Sequence, residues 1–181
     1  MTDDIKKRLD VVLIAGGKYH DIDFARLELL KLLAEDERIR TRVYEDYSNL
    51  HAISNADFLI TYTCDVRPTL EQQKVLRDFV ANGKRWLALH GTNSILQFLS
   101  DGRVDCPRVA PIFMETLGSQ FLSHPPIEPY TVTVADGDHH LVEGVEPFQT
   151  NDELYLMETH GELHVLLETE FEGNTPGFVE E

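Results

Sequence analysis

The sequence predicts an α/β fold, in which a doubly wound and mostly parallel sheet is followed by an antiparallel C-terminal extension. In the first hundred residues, short apolar runs alternate with amphipathic helical patterns, which is typical of parallel strands buried on both faces. In the second half prolines become frequent, and residues 130–134 (YTVTV) alternate as half-exposed strands do. We therefore expect two kinds of strand in one chain.

The first predicted strand covers residues 11–15 (VVLIA) and runs into two glycines. Apolar residues then recur at helical spacing over 24–33, which predicts a helix with Asp21 or Asp23 as its N-terminal cap. A weaker second strand is predicted at 41–44. The order strand, helix, strand begins a parallel sheet.

The next strand is predicted at residues 58–62 (FLITY), and a helix follows. Thr69 and Gln72 have the spacing of a capping box at the start of this helix, and Gly83 lies where the helix should end. The fourth strand is predicted at residues 86–89 (WLAL). These elements complete the parallel part of the sheet.

The remaining elements are predicted with weaker signals. We expect helices near residues 94–99 and 112–117, and antiparallel strands at 130–134, 152–158 and 163–168. No internal repeat or linker is visible, so we expect a single domain over the whole sequence, residues 1–181.

Charge and composition exclude several classes of protein. The 181 residues carry a formal net charge of -16, so nucleic acids and anionic membranes are not expected as partners. No segment approaches the roughly 20 apolar residues of a membrane span, and the charged N-terminus does not look like a signal peptide. Cys64 and Cys106 form no metal-type pair, and a reducing cytoplasm is the expected compartment.

Polar side chains follow three predicted strands at their carboxyl ends, where open α/β sheets bind ligands. The residues at this edge are Gly17, His20 and Asp21 after the first strand, Cys64 after the third, and His90, Thr92 and Asn93 after the fourth. A polar pocket is therefore expected at the strand ends.

His90 is the sharpest candidate, because it follows a strand directly and precedes Gly91 and a predicted helix. This context resembles a nucleophile elbow, in which a sharp turn exposes one side chain. An imidazole there suits general acid/base chemistry or metal ligation better than covalent catalysis. The alternative is a histidine satisfied by local hydrogen bonds, and the strand-end position favours the functional interpretation.

Two further candidates come from the second half. His124 lies in Ser-His-Pro-Pro, where the prolines fix the backbone and aim the ring. Glu153 lies in Asp-Glu-Leu-Tyr on a predicted strand, so one of the two adjacent acids should face inward. An inward carboxylate would be the second group of an acid/base pair with His90.

Other interpretations remain open at this stage. His20 and Asp21 are either an oriented acid/base pair or a helix-capping turn, and Cys64 is more typical of an inert buried thiol than of a nucleophile. The dinucleotide-binding pattern G-x-G-x-x-G is absent, and no cofactor is predicted. A metal site would need His20, His90 and His124 to converge, since no short metal-binding motif is present.

Several motifs resemble the ThuA-like (trehalose-utilisation) family. They are Gly16-Gly17-Lys18-Tyr19-His20-Asp21, Leu89-His90-Gly91-Thr92-Asn93, Leu117-Gly118 with Phe121, His124-Pro125-Pro126 before Tyr130-Thr131-Val132, and Asp152-Glu153-Leu154-Tyr155. The resemblance spans nearly the whole chain. It implies a flavodoxin-like core related to class I glutamine amidotransferases, and a role in using trehalose or related disaccharides through keto-sugar intermediates.

The chain departs from this pattern at two places. The cysteine of the amidotransferase elbow is replaced by His90, so glutaminase activity is not expected. The sequence given also stops at residues 177–181, where relatives usually continue into a Gly-rich strand and a Gly-His turn, so the completeness of the last sheet edge and of the site is an open question at this stage.

The leading hypothesis is a carbohydrate-utilisation protein with His90 and Glu153 as an acid/base pair. The residues expected to hold the sugar are Gly17, His20, Asp21, Thr92, Asn93 and His124. One alternative is a metal-dependent hydrolase or isomerase that uses a histidine cluster, and another is a non-catalytic module that binds a sugar or a protein partner. Apolar strands in the second half are compatible with a homo-oligomer.

Overall fold

The structure is a computed structural model that describes residues 7–173. Its strands β1 to β4 and helices α1 to α3 alternate along the chain, with the following bounds: β1 Leu9–Gly17, α1 Ile22–Ala34, β2 Ile39–Tyr44, α2 Leu50–Asn55, β3 Phe58–Cys64, α3 Leu70–Ala81 and β4 Arg85–Leu89. The four strands form a parallel sheet in the order β2-β1-β3-β4. This is the strand order of the flavodoxin-like fold, so the predicted doubly wound sheet is confirmed.

Strand β1 is buried on both faces, as its apolar sequence predicts. Val11, Leu13 and Ala15 pack beneath α1 on one face of the sheet. Val12 and Ile14 lie on the other face, in the core that includes residues of α2 and α3. Since alternate residues of a strand point to opposite faces, a wholly apolar strand is what two layers of helices require.

The predicted caps are present at both long helices. The side chain of Asp21 accepts a hydrogen bond from the Phe24 amide at 3.0 Å, so Asp21 caps α1 and Asp23 does not. Thr69 and Gln72 form the predicted capping box of α3, with both reciprocal bonds in place. The short helix α2 was not predicted, although its cap, Asn49, is a typical N-cap residue.

The second half is built from short antiparallel strands around one helix. Its elements are β5 Gln97–Phe98, β6 Val104–Asp105, α4 Pro111–Leu117, β7 Ser119–Ser123, β8 Glu128–Val134, β9 Phe148–Asp152, β10 Leu156–Thr159 and β11 Leu167–Glu168. Strand β5 pairs with β6, β7 with β10, and β8 with both β9 and β11, all antiparallel. The predicted antiparallel extension is therefore confirmed.

The predicted helix near residues 94–99 is wrong. A single 3-10 turn covers His90–Asn93, and the chain is extended after it. The Ser94 carbonyl accepts a hydrogen bond from the Asp65 amide at 2.9 Å, and the Leu96 amide donates to the Asp65 carboxylate at 3.1 Å. These long-range bonds hold the segment straight against its local helical pattern.

The predicted strand at residues 152–158 is interrupted. Strand β9 ends at Asp152 and pairs with β8, whereas β10 starts at Leu156 and pairs with β7. Glu153 therefore lies in the connection between two sheets and not on a strand. The predicted strand at 163–168 is reduced to Leu167–Glu168. The alternating sequence alone did not reveal that the chain changes sheets here.

Two other expectations concern the limits of the chain. Within residues 7–173, no helix is long and apolar enough to cross a membrane. Residues 177–181, where the sequence departs from the ThuA-like pattern, lie outside the residues that the structure describes.

Substitution of Asp21 tests its role as the N-terminal cap of α1. We expect Asp21→Ala to lower the free energy of unfolding by about 1 kcal/mol, because an orphan helical amide loses its acceptor. Asp21→Asn should retain the cap, and Asp23→Ala should cost about 0.5 kcal/mol or less, since it breaks only an exposed ion pair with Arg26. Urea denaturation measures all three, and equal losses at Asp21 and Asp23 would contradict this assignment.

Candidate functional site

The carboxyl edge of the parallel sheet carries unusual backbone geometry. Tyr19, Asp65 and His90 have positive φ angles of 70°, 56° and 45°, and they follow strands β1, β3 and β4. A non-glycine residue held in such a conformation costs on the order of 1–3 kcal/mol, and such residues cluster at functional sites. The sharp turn predicted at His90 is therefore present, and two neighbouring strands end in the same way.

Asp65 ties these three strand ends together. Its backbone amide and one carboxylate oxygen bind the segment after β4, through Ser94 and Leu96. Its second carboxylate oxygen accepts a hydrogen bond from Lys18 Nζ at 2.8 Å, in the loop after β1. One aspartate thus fixes the relative positions of the loops that carry His20 and His90.

Five side chains converge at this edge. His90 Nε2 lies 3.2 Å from Glu153 Oε2, and His124 Nε2 lies 3.7 Å from the other carboxylate oxygen, Oε1. The Tyr155 hydroxyl lies 3.3 Å from His90 Nε2 and 3.5 Å from His20 Nε2. We call His20, His90, His124, Glu153 and Tyr155 the histidine–glutamate cluster.

Aromatic rings hold His90 within the cluster. The Tyr155 ring stacks on the imidazole with centroids 4.5 Å apart, and Tyr62 lies nearly parallel to it at 6.0 Å. The ring of His20 meets His90 edge-on at 4.6 Å. These three rings surround His90, whose Nε2 atom lies towards Glu153 and Tyr155.

Burial shifts the pKa values of two cluster residues, His20 and Tyr155. Burial lowers the pKa of His20 below its usual 6.5, and the charge of a protonated His90 would lower it further. Burial raises the pKa of Tyr155, with a further contribution from the charge of Glu153. Near neutral pH, His20 is therefore an uncharged imidazole and Tyr155 is a protonated hydroxyl that can donate.

The sequence predicted most of this cluster but missed Tyr155. His90, His20, His124 and Glu153 were all singled out, and the structure brings the four together. Tyr155 follows Glu153 by two residues in the Asp-Glu-Leu-Tyr motif, and that spacing puts both side chains on one side of an extended chain. This alternation was a usable signal for a tyrosine beside the carboxylate.

Gly17 and Asp21 have structural roles at this edge. Gly17 has a φ of 107°, and a Cβ added there would lie 1.9 Å from the Cys64 carbonyl oxygen, so only glycine allows the two strands to approach. The Asp21 carboxylate is engaged by the first turn of α1. Their predicted contacts with a sugar remain predictions.

Thr92 and Asn93 are buried within the turn after β4. Thr92 is 3% exposed, and its hydroxyl contacts the Leu89 carbonyl oxygen at 2.8 Å. Asn93 is 7% exposed and donates its amide to Ser119 Oγ at 2.9 Å. The geometry gives both side chains roles in holding the turn, and their predicted sugar contacts are untested.

Two cavities flank the cluster. The larger, of about 780 Å³, is lined by residues that include His90, Asp152 and Glu153. The smaller, of about 300 Å³, is lined by residues that include Tyr19, His20 and His124. Glu153 and Tyr155 line both cavities, so a ligand in either one meets the same carboxylate and hydroxyl.

The structure bears on the alternative of a metal site built from His20, His90 and His124. The potential ligand atoms that lie within 4.8 Å of one another belong to His20, His90 and Glu153. His124 faces the second carboxylate oxygen of Glu153.

Cys64 lies at the end of β3 and is almost fully buried. Burial raises the pKa of its thiol to about 12, with the charge of Asp65 as a smaller cause. A thiol with this pKa is protonated near neutral pH and is a poor nucleophile. The structure therefore supports the interpretation of Cys64 as an inert buried thiol.

Thiol titration tests this interpretation. We expect neither cysteine of the folded protein to react rapidly with Ellman's reagent at about pH 8, because burial also raises the pKa of Cys106 to about 11. Both thiols should react in guanidinium chloride, which serves as the positive control. Rapid labelling of Cys64 in a folded Cys106→Ser variant would contradict the prediction.

Comparison with known proteins supports the fold and identifies the family. A search of curated proteins gave no match. Two solved structures of ThuA-like proteins, each 17% identical to this chain, share its fold. The match to the protein from Bacteroides uniformis has a TM-score of 0.70 and covers 91% of this chain and 69% of that protein. The match to the protein from Parabacteroides merdae has a TM-score of 0.62 and covers 90% of this chain and 68% of that protein. The family model for ThuA, described as trehalose utilisation, matches residues 10–179. The chain therefore belongs to the ThuA family.

Proposed function

We propose that the chain binds a keto sugar derived from trehalose or a related disaccharide and moves a proton on it, with His90 and Glu153 as the acid/base pair. The contact of 3.2 Å between His90 Nε2 and Glu153 Oε2, at the meeting point of two cavities, carries this proposal. The family's description, trehalose utilisation, supports the choice of sugar, and the contact between the two side chains supports the acid/base pair.

The short distance between the two groups favours proton abstraction next to a carbonyl. Glu153 would take the proton from the carbon beside the ketone, and the C–H electron pair would form a carbon–carbon double bond. Protonated His90 would give its proton to the ketone oxygen, which yields an enediol. Return of a proton to either carbon of the enediol isomerises or epimerises the sugar.

Glycoside hydrolysis fits the same geometry less well. In most glycosidases two carboxyl groups flank the scissile bond at about 5–9.5 Å from one another. His90 and Glu153 are in direct contact, so they address neighbouring atoms of one sugar and not the two faces of a glycosidic bond. This difference favours an isomerase-type step.

The other cluster residues suit the binding and orientation of a neutral sugar. The protonated Tyr155 hydroxyl can donate to a sugar oxygen, and the uncharged His20 ring offers one donor and one acceptor. His124 lies beside the oxygen of Glu153 that His90 does not contact. Asp152 and Glu153 in the larger cavity disfavour a phosphorylated sugar.

A thiol-dependent glutaminase reaction has no support at this site. The elbow position holds the imidazole of His90, and the nearby Cys64 thiol is protonated near neutral pH. Both cysteines are free, which suits the reducing cytoplasm that we propose as the compartment.

The proposal is tested by following hydrogen exchange at carbon in D₂O. By NMR, the chain should accelerate exchange of the C–H beside the ketone of keto-trehalose. Glu153→Gln and His90→Gln should each slow this exchange by about 10²–10⁴-fold, which is typical for loss of a general acid or base. Sugar affinity, measured by calorimetry, should change much less.

Matched controls keep the test specific. Glu158→Gln removes a glutamate that pairs with the exposed Arg108, and His51→Ala removes a surface imidazole of α2. Both should exchange at the wild-type rate. Unchanged exchange in Glu153→Gln would contradict the catalytic role, and tight sugar binding without exchange in the wild type would favour the non-catalytic binding module.

A further inference from the structure

We propose that His20, His90 and Glu153 form a binding site for one divalent transition-metal ion, such as Zn²⁺. This inference goes beyond the proposed function, because it concerns ion binding that can be measured without a sugar. It stands on the placement of three ligating side chains from separate parts of the chain.

The three residues come from loops whose positions are fixed by the sheet. His20 follows β1, His90 follows β4, and Glu153 lies between β9 and β10. One ligand atom from each lies within 4.8 Å of the other two. In a tetrahedral Zn²⁺ site with bonds of about 2.1 Å, two ligand atoms lie about 3.4 Å apart. Shortening the separations of the ligand atoms by at most about 1.4 Å would complete such a site.

The contacts of Tyr155 with the two imidazoles are long for hydrogen bonds. Its hydroxyl is 3.3 Å from His90 Nε2 and 3.5 Å from His20 Nε2, whereas good hydrogen bonds of this type are about 2.7–3.2 Å. Tyr155 therefore holds the two imidazole nitrogens only weakly. A central cation would engage the lone pairs of both imidazoles and the charge of Glu153 at once.

The composition of the site selects the class of ion. Two imidazoles and one carboxylate suit zinc, cobalt, nickel or iron, whereas magnesium and calcium prefer sites made only of oxygen atoms. The side chains of His90 and Glu153 are 22% and 25% exposed, so an ion can enter from the cavities. Three protein ligands leave coordination positions open for water or a sugar oxygen.

His124 has the place of an outer partner. Its Nε2 lies 3.7 Å from the Glu153 oxygen that does not face His90, and its Nδ1 lies 2.8 Å from the Pro125 carbonyl oxygen. If Nδ1–H donates to that carbonyl, the ring is held with Nε2 towards Glu153. Residues that orient a metal ligand in this way contribute to metal affinity without touching the ion.

Metal titration of the full chain tests the site. After treatment with EDTA and dialysis, isothermal calorimetry with ZnCl₂ should show one ion bound per chain, and CoCl₂ should give the visible absorption of a four- or five-coordinate ion. His20→Asn and Glu153→Gln should each weaken Zn²⁺ binding by about 100-fold or more, and His124→Ala by about 10-fold. Circular dichroism and thermal melting of each variant show that it is folded.

A second histidine cluster provides the matched control. His164 lies 2.6 Å from Asp136 on the surface, and the His139 ring lies close by. His164→Ala should leave the stoichiometry and affinity unchanged. The proposal would be overturned by the absence of one-to-one binding to the folded wild type, or by binding that survives His20→Asn and Glu153→Gln but not His164→Ala. Since this titration uses no sugar, it can fail while the proton transfer holds, and the reverse.

Discussion

The close parallel pairing of β1 with β3 is the constraint on which the site depends. Gly17 lies opposite Cys64 in this ladder, and a side chain at Gly17 would collide with the Cys64 carbonyl oxygen. The Lys18 amide then donates to the same carbonyl at 3.0 Å. Because β3 also pairs with β4, this approach brings the carboxyl ends of three strands to one edge.

Asp65 fixes the two loops that carry the candidate site at that edge. Its bonds to the loops after β1 and β4 hold both in positions that short local interactions do not favour, including the left-handed backbone at His90. The strain is offset by the long-range hydrogen bonds and by the packing of β3 in the core. The ring centroids of His20 and His90 consequently lie 4.6 Å apart.

The parts of the fold that the sequence revealed are those where local pattern and burial agree. Strand β1 is apolar because both of its faces are covered, and the caps at Asp21 and Thr69 satisfy helix amides within three residues. The helix predicted at 94–99 was wrong because contacts with Asp65, distant in sequence, determine that segment.

The same distinction applies to the site. Residues that follow apolar strands, such as His20 and His90, were predictable because the carboxyl ends of parallel strands meet at one edge. The inward direction of Glu153 was expected. Its position between two sheets is set by long-range pairing, of β9 with β8 and of β10 with β7. Tyr155 was missed although its spacing of two residues from Glu153 was a signal that the sequence offered.

The turn after β4 carries an imidazole and not a thiol, which bears on the chemistry that this edge of the sheet can support. A thiol forms covalent intermediates only as a thiolate, and the nearby Cys64 is too deeply buried to ionise near neutral pH. An imidazole at the same turn offers a nitrogen that exchanges protons or binds a metal ion. Glu153 would serve either proposed use, as the base beside His90 or as the third ligand with His20. Both proposals therefore depend on one carboxylate, which lines both cavities.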